Sequence, residues 1–444
     1  MKKLLVALAV LLVLALAALG VGSIRWHPSR RAGPPRLKGV ARGAGPLLAG
    51  AAVVPLEPPP PVPVAGFARL HWMEEGRRDP LAARALVLQE RGCTVALVSV
   101  EILLVPGKLE QAVARAVRDL KLDHLALTAT HTHAGPGGYW QDALGERIAT
   151  GPYNEAVFDY LVQRTAEAVR KAAGALEPAY LSVGRATATD LVRNRAGGDE
   201  VDGRLVSARL VARTGKPVAE VVLFPSHPTL LGLQNRLLSG DWPGALMRSQ
   251  PTPLLLFQGA LGDQTARMPP GQRANPEVYA RALRGRIDAL QYSLPDPWPE
   301  LSVAASTAVL PAQIPGATPP LLRRVAANVF YDWLADRASV AAIRLGPLML
   351  LAVPGEPVAA VGRRWREVAG PDSEVLALAG DYLGYVETSE RMAEAVGETV
   401  HTYYGPELAE RLTGAVKLSA ATVRGAEVDG PRPAAAMKDS QPHR

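Results

Sequence analysis

Apolar runs that read as buried strands alternate with helix-patterned segments along most of this 444-residue chain, and that alternation most constrains its fold. Residues 94–100, 125–130, 205–212, 219–224, 254–258, 347–353 and 375–379 are the strand candidates. Between them, Leu109, Val113, Val117 and Leu120 recur at helical spacing within 108–122, and Asn154 is placed to cap a helix running from 155 to about 173. Glycine, proline or histidine follows several of the strand-like runs. The expected fold class is therefore α/β, a single large catalytic domain over 47–418 with β-sheets flanked by helices and functional loops at strand ends.

Composition narrows the function classes. Hydrophobic residues make up 48% and charged residues 20%, which suits a well-buried globular enzyme. The formal charge is +7, yet no Lys/Arg cluster is interleaved with aromatics, so nucleic acid is excluded as a partner. A diffuse basic surface is compatible with an anionic membrane face. Met1, Lys2 and Lys3 precede an unbroken apolar stretch over 4–21. Residues 1–24 are thus expected to form an N-terminal hydrophobic helix, either a signal peptide or a membrane anchor, giving an exported chain that is anchored or secreted/periplasmic. Residues 25–46 read as a polar, proline-bearing spacer and 419–444 as a disordered tail. Cys93, the sole cysteine, can form no internal disulfide and reads as a small core residue.

The chemistry concentrates at the ends of three runs. His131 and His133 follow the run 125–130 and stand at i and i+2, so in extended backbone both imidazoles leave the same side of the sheet edge. Gly135, Pro136, Gly137 and Gly138 let the chain turn away beside them. Paired neutral imidazoles suit a transition metal, zinc first; two exposed histidines on a turn are the plainer alternative. His227 ends a second run, flanked by Pro225 and Pro228, and as a lone residue reads equally as a fixed turn histidine. Glu356 ends a third, after Pro354 and Gly355, either as a first-turn acid of the next helix or as a carboxylate entering a cleft.

Taken together, these blocks resemble one family. The segment from His131 to Tyr139 is similar to the His-Thr-His-Ser-Gly-Pro-Gly-Gly-Tyr signature of the neutral, non-lysosomal ceramidases. Further blocks follow in the same order: Ser226-His227-Pro228-Thr229 with Leu238-Ser239-Gly240-Asp241, then Gly262-Asp263-Gln264-Thr265-Ala266, then Val353-Pro354-Gly355-Glu356 with Gly362-Arg363-Arg364, and finally 381–388 with Tyr404-Gly405-Pro406. The resemblance covers the family's N-terminal catalytic domain from about 47 to 418, without its C-terminal immunoglobulin-like domain. It implies a zinc-dependent amidase cleaving the N-acyl bond of ceramide or a related amphiphilic N-acyl lipid at a membrane surface. By that resemblance Zn2+ is held by His131, His227, Glu356 and Tyr385. His133 and Arg195 bind or polarise the substrate, and Glu356 also delivers a proton to the leaving amine.

Departures from the family pattern keep two other readings open. The segment after Arg195 is shortened, a second family tyrosine aligns with Gly397, and Thr265 replaces a serine. One alternative is a different metallohydrolase in which His131 and His133 are both ligands. The other is a catalytically weak lipid-binding envelope protein.

Overall fold

The computed structural model describes residues 10–17, 20, 33–68, 72–142, 145–329 and 334–425. Two sheets dominate it. One has eight strands, in spatial order Leu254–Phe257, Pro217–Leu223, Arg204–Ala212, Glu177–Thr187, Ala44–Leu56, Leu81–Arg91, Cys93–Val100 and His124–Ala129. The other has five, in the order Arg36–Arg42, Leu301–Val309, Arg337–Leu345, Leu348–Ala352 and Ser373–Leu376. Pairing is mostly antiparallel. Parallel pairs join Cys93–Val100 to His124–Ala129, Pro217–Leu223 to Leu254–Phe257, and Leu348–Ala352 to Ser373–Leu376.

Side-chain alternation assembles these sheets into layers. Leu86, Leu88, Val95 and Leu97 of the larger sheet share one core with Ile343, Leu345, Leu348 and Leu350 of the smaller one. Their sequence neighbours Ala85, Val87, Ala96, Val98, Val340, Ala342, Met349 and Leu351 belong to a second core that also holds helix residues. Val157, Leu161 and Val169 of helix Glu155–Ala173 and Leu412 and Val416 of helix Leu408–Val423 contribute to that core. The order is helix, sheet, sheet, helix. A third core places helices Asp241–Met247 and Pro276–Asp288, through Trp242 and Tyr279, on Leu254, Leu256 and Val222. Strands buried on both faces carry apolar residues at nearly every position, so they read as continuous runs in the sequence.

The α/β class and the flanking helices stand as expected. Asn154 caps its helix, accepting a hydrogen bond from Ala156 N at 3.0 Å. Cys93 is buried, and burial pushes its thiol up to about 12, which makes it an inert core residue.

Two expected boundaries are corrected. Arg36–Arg42, assigned to the spacer 25–46, is an edge strand hydrogen-bonded to Leu301–Val309. The last helix runs past 418 to Val423, because Ser419, Ala420 and Val423 are buried and Ser419 Oγ donates to Val340 O at 3.3 Å. The remainder of the proposed tail, 426–444, lies outside the described residues. So does most of 1–24, of which only the helical stretch 10–17 and residue 20 are described. Among the described residues no helix is long and apolar enough to cross a membrane.

Candidate metal centre

The C-terminal ends of several strands from both sheets converge, and each carries one of the residues singled out in the sequence. His131 follows strand His124–Ala129 with its backbone in the left-handed region, φ 68°. Its amide donates to Ile102 O at 3.1 Å and its Nδ1 to Leu103 O at 2.7 Å. The loop beyond it can only be glycine-rich: a Cβ on Gly137 would meet Thr150 O at 2.0 Å. His227 follows strand Pro217–Leu223, and its Nδ1 points at Leu261 O and Gln264 O, both at 2.9 Å. Glu356 follows strand Leu348–Ala352 through a turn at Gly355, φ 79°. It then pairs in parallel with Tyr385.

The four side chains meet. Glu356 Oε2 lies 3.2 Å from His131 Nε2 and 3.0 Å from His227 Nε2, while the Tyr385 hydroxyl lies 3.1 Å from His227 Nε2. His131, His227 and Glu356 are almost wholly buried, at 2%, 0% and 1% exposure. Because backbone carbonyls take the proton of each Nδ1, both Nε2 atoms present lone pairs inward, toward a carboxylate oxygen that is itself an acceptor. Such facing acceptors are mutually repulsive unless a cation or a proton lies among them. Two imidazole nitrogens, a carboxylate and a phenol form a donor set that fits a zinc-type ion. Burial alone would raise the pKa of Glu356, and positive charge on the imidazoles of His131 and His227 holds it well below the carboxylate range; with those imidazoles neutral, a cation among the donors would have to supply that charge. Burial pulls His227 down to about 4, leaving it neutral and ligand-ready.

His133 stands beside this set. Its Nε2 is 3.4 Å from His131 Nε2, and the ligand nitrogens of His131, His133 and His227 all lie within 4.8 Å of one another. Its ring packs against Phe67, with centroids 4.6 Å apart. Arg195 approaches from the other side. It extends from the short strand Val192–Asn194, whose partner Gln264–Ala266 also supplies the Gln264 carbonyl that fixes His227. Arg195 Nη2 donates to the Tyr385 hydroxyl at 2.7 Å and to Gly262 O at 3.0 Å. Burial opposes its charge, but Tyr385, Glu398 and Glu356 hold its pKa above the usual guanidinium value. His131, His133, Arg195, Glu356 and Tyr385 border one cavity of about 810 Å³, with Leu103, Leu104, Tyr382, Glu398, His401 and Tyr403, while His227 lies buried behind its wall. That is within the usual range for a small-molecule site.

Several residues at the site were given no catalytic or metal-binding role from the sequence. Tyr382 donates to Glu356 Oε1 at 2.7 Å and so fixes the carboxylate's second oxygen. Gln258, fully buried, donates to Thr130 O at 3.0 Å and accepts from Ser226 N at 3.1 Å. It therefore ties together the residues immediately preceding His131 and His227. The only sequence signal for it was its place at the end of an apolar run. Asp263 accepts from Ala359 N and from Asn194 Nδ2, each at 2.8 Å, and so joins the turn before His227's partner strand to the helix after Glu356. Arg363 and Arg364 lie on the exposed face of that helix, paired with Glu200 and Glu410.

The departures noted in the sequence have local explanations. The short segment after Arg195 closes on Asn194, whose Oδ1 accepts from Ala196 N and Gly198 N at 2.8 and 3.3 Å. Gly397 lines the cavity at φ 67°, and a Cβ there would meet both Arg391 Nε and Glu387 Oε2 at 2.5 Å. A side chain there would be strained by the backbone conformation and would have to displace Arg391 or Glu387.

Residues 58–248 match the sequence profile described as neutral/alkaline non-lysosomal ceramidase, N-terminal. The chain is similar to the neutral ceramidase of Pseudomonas aeruginosa, 27% identical over 204 residues, which span 41% of this chain and 30% of that protein. It is likewise similar to the neutral ceramidase of Mycobacterium tuberculosis, 27% identical over 202 residues spanning 40% and 31%. These alignments cover less than a third of each relative's length. The fold is that of the crystal structure of the Pseudomonas aeruginosa protein, with a TM-score of 0.75 at 19% identity over 88% of this chain and 77% of that one.

Proposed function

Residues 58–248 belong to the neutral/alkaline non-lysosomal ceramidase family, and from that premise we propose that this protein is a zinc-dependent amidase hydrolysing the N-acyl bond of ceramide or a related N-acyl lipid. The observation that carries the reading is the convergence of His131 Nε2, His227 Nε2, Glu356 Oε2 and the Tyr385 hydroxyl. When bound there, zinc supplies Lewis acidity and makes water available as a nucleophile near neutral pH.

The protein's own groups do the rest. Arg195, a partly buried permanent cation beside Tyr385, stabilises negative charge developing on the carbonyl oxygen. His133, at the cavity wall, hydrogen-bonds the substrate near the scissile bond. Glu356, with Oε1 held by Tyr382, takes up the proton that the attacking water gives up and passes it to the departing amine. Leu103, Leu104 and Phe67 give the cavity an apolar wall for an acyl chain and exclude water from the reacting centre. The partner is thus an amphiphilic N-acyl lipid drawn from a membrane surface, and the chain acts after export, with 1–24 as a removed signal or a retained anchor.

A second metallohydrolase reading, with His133 as a ligand, draws on the mutual proximity of His131, His133 and His227. His133→Ala separates the two. On the first reading the variant retains zinc and loses turnover; on the second it loses zinc as well. The primary test is amidase activity of the zinc-loaded protein on N-acyl sphingosines and N-acyl amino acids. Full activity in His227→Ala or Glu356→Ala would overturn the proposal. A protein that binds these lipids without cleaving any of them would be the lipid-binding alternative.

A further inference from the structure

A second cavity, of about 600 Å³, lies between edge strand Arg36–Arg42 of the smaller sheet and edge strand His124–Ala129 of the larger one. It is within the usual range for a small-molecule site and shares no lining residue with the metal-site cavity. One wall is formed by Arg36–Arg42 and its neighbours Leu301–Val309 and Arg337–Leu345. The other is helix Gly107–Ala116, the 3-10 turn Arg118–Leu120 that follows it, and His124. His124 begins the strand that leads to His131, so roughly 20 Å of chain separates the two sites.

Small side chains leave the space, and apolar ones border it. Gly39 pairs with Ala305 across the strands, and a Cβ on Gly39 would meet nothing within 4 Å. Paired residues face the same side of a sheet, so position 39 opens where Ala305 does. Ala41, Val117, Leu125 and Val303 also border the cavity. Its rim is basic. Lys38, Arg118 and Lys121 are exposed there, and among the described residues none of them makes an ion pair. Arg118 and Lys121 belong to one turn, closed by Lys121 N donating to Arg118 O at 3.2 Å. The acids on the wall offset this charge only in part. Asp123 accepts from Thr94 N at 2.8 Å, and burial raises Glu110 to about 7. Burial, reinforced by Lys38, pulls His124 down to about 4 and keeps it neutral. The surplus of positive charge suits a monoanion.

We propose that this cavity is a second binding site, for a long-chain carboxylate whose alkyl chain lies between the two edge strands and whose head group meets Arg118 and Lys121. The apolar walls disfavour a small hydrated anion, and the basic rim disfavours an alkylammonium ion; together they select an amphiphile with one negative end. The site stands apart from the proposed reaction and uses none of its residues.

Calorimetric titration of the zinc-loaded protein with dodecanoate, kept below micelle-forming concentration, tests this. Wild type should take up one more equivalent than Gly39→Phe, whose ring fills the cavity from a position where a side chain has room. Dodecanoate bound at the metal is common to both proteins and cancels in that comparison. The double variant Arg118→Gln/Lys121→Gln keeps the space and should bind the additional equivalent ~10- to 100-fold more weakly, the scale of lost charge-assisted hydrogen bonds. Dodecyltrimethylammonium should give the same isotherm with wild type and Gly39→Phe. Zinc content should stay at the wild-type level in both variants. Equal uptake of dodecanoate by wild type and Gly39→Phe, undiminished affinity in the double variant, or an additional equivalent of the ammonium amphiphile in wild type would each overturn the site. Amide turnover, measured separately, reports on the amidase reading alone.

Discussion

The Tyr382 hydroxyl donates to Glu356 Oε1 across 2.7 Å, inside a site where the other carboxylate oxygen faces two imidazoles. A buried carboxylate with one oxygen tethered cannot rotate that oxygen toward the ion. Tyr382→Phe removes the tether while keeping the ring, which packs edge-on to Trp140 at 5.5 Å. Zinc affinity should fall by ~10- to 100-fold, as for other groups that orient a ligand. Competition against a chelator of known affinity measures it; unchanged affinity would mean the tether is dispensable.

Gln258 holds Thr130 and Ser226 with one side chain, so it sets the spacing of His131 and His227. Gln258→Leu has similar volume but leaves a buried carbonyl and a buried amide unpaired, at a cost of ~1–3 kcal/mol each. We expect a lowered melting temperature together with weakened zinc binding, read by calorimetry in the zinc-free and zinc-loaded forms. A variant that melts early but binds zinc normally would assign Gln258 to the core alone.

Removal of the metal should itself be visible as instability. Stripped of zinc, the site leaves Glu356 Oε2 facing two nitrogen lone pairs. At a free metal concentration ~1,000 times the dissociation constant, binding contributes ~4 kcal/mol, so chelation should lower the melting point by ~4–5 °C. Metal analysis of the loaded protein should give about one ion per chain. Identical melting curves with and without chelator would contradict the site.

A pH effect is expected at Glu110, which does not line the metal-site cavity. Burial, with Asp381 adding to it and Lys38 opposing, raises Glu110 to about 7. The folded state therefore holds a proton that the unfolded chain releases near the ordinary glutamate value of 4.5. Stability from this group is present at low pH and is lost as pH rises from about 4.5 through about 7. Glu110→Gln keeps the neutral form at every pH. Its melting point should exceed that of wild type by ~2–5 °C at pH 8 and converge with it near pH 4.5. Equal melting points at pH 8 would show that the carboxyl is not desolvated.

Much of the centre was legible because His131, His227 and Glu356 each terminate a long apolar run, and strand ends are where a layered fold leaves room for a ligand. Tyr382, Gln258, Glu398 and His401 were not legible in the same way. Their roles depend on which segments the fold brings together: Gln258 meets Thr130 across 128 residues and Arg195 meets Glu398 across 203. Periodicity carries no such information. Strand Leu81–Arg91 was missed for a different reason. Its residues, rich in Ala, Leu, Arg, Gln and Glu, favour a helix, and burial between neighbouring strands overrides that preference. The spacer and tail boundaries failed because an exposed edge strand and a terminal helix turn are anchored by distant partners, Leu301–Val309 and Val340.

The proposed donor set is divided between the sheets: His131 and His227 issue from the eight-stranded one, Glu356 from the five-stranded one and Tyr385 from the segment paired beside it. No fragment limited to either half owns a complete shell. On the proposed ligand set, metal capture would require both sheets to have met and would report that they had. A chain that had joined its halves incorrectly would be as metal-poor as one that had never met the ion.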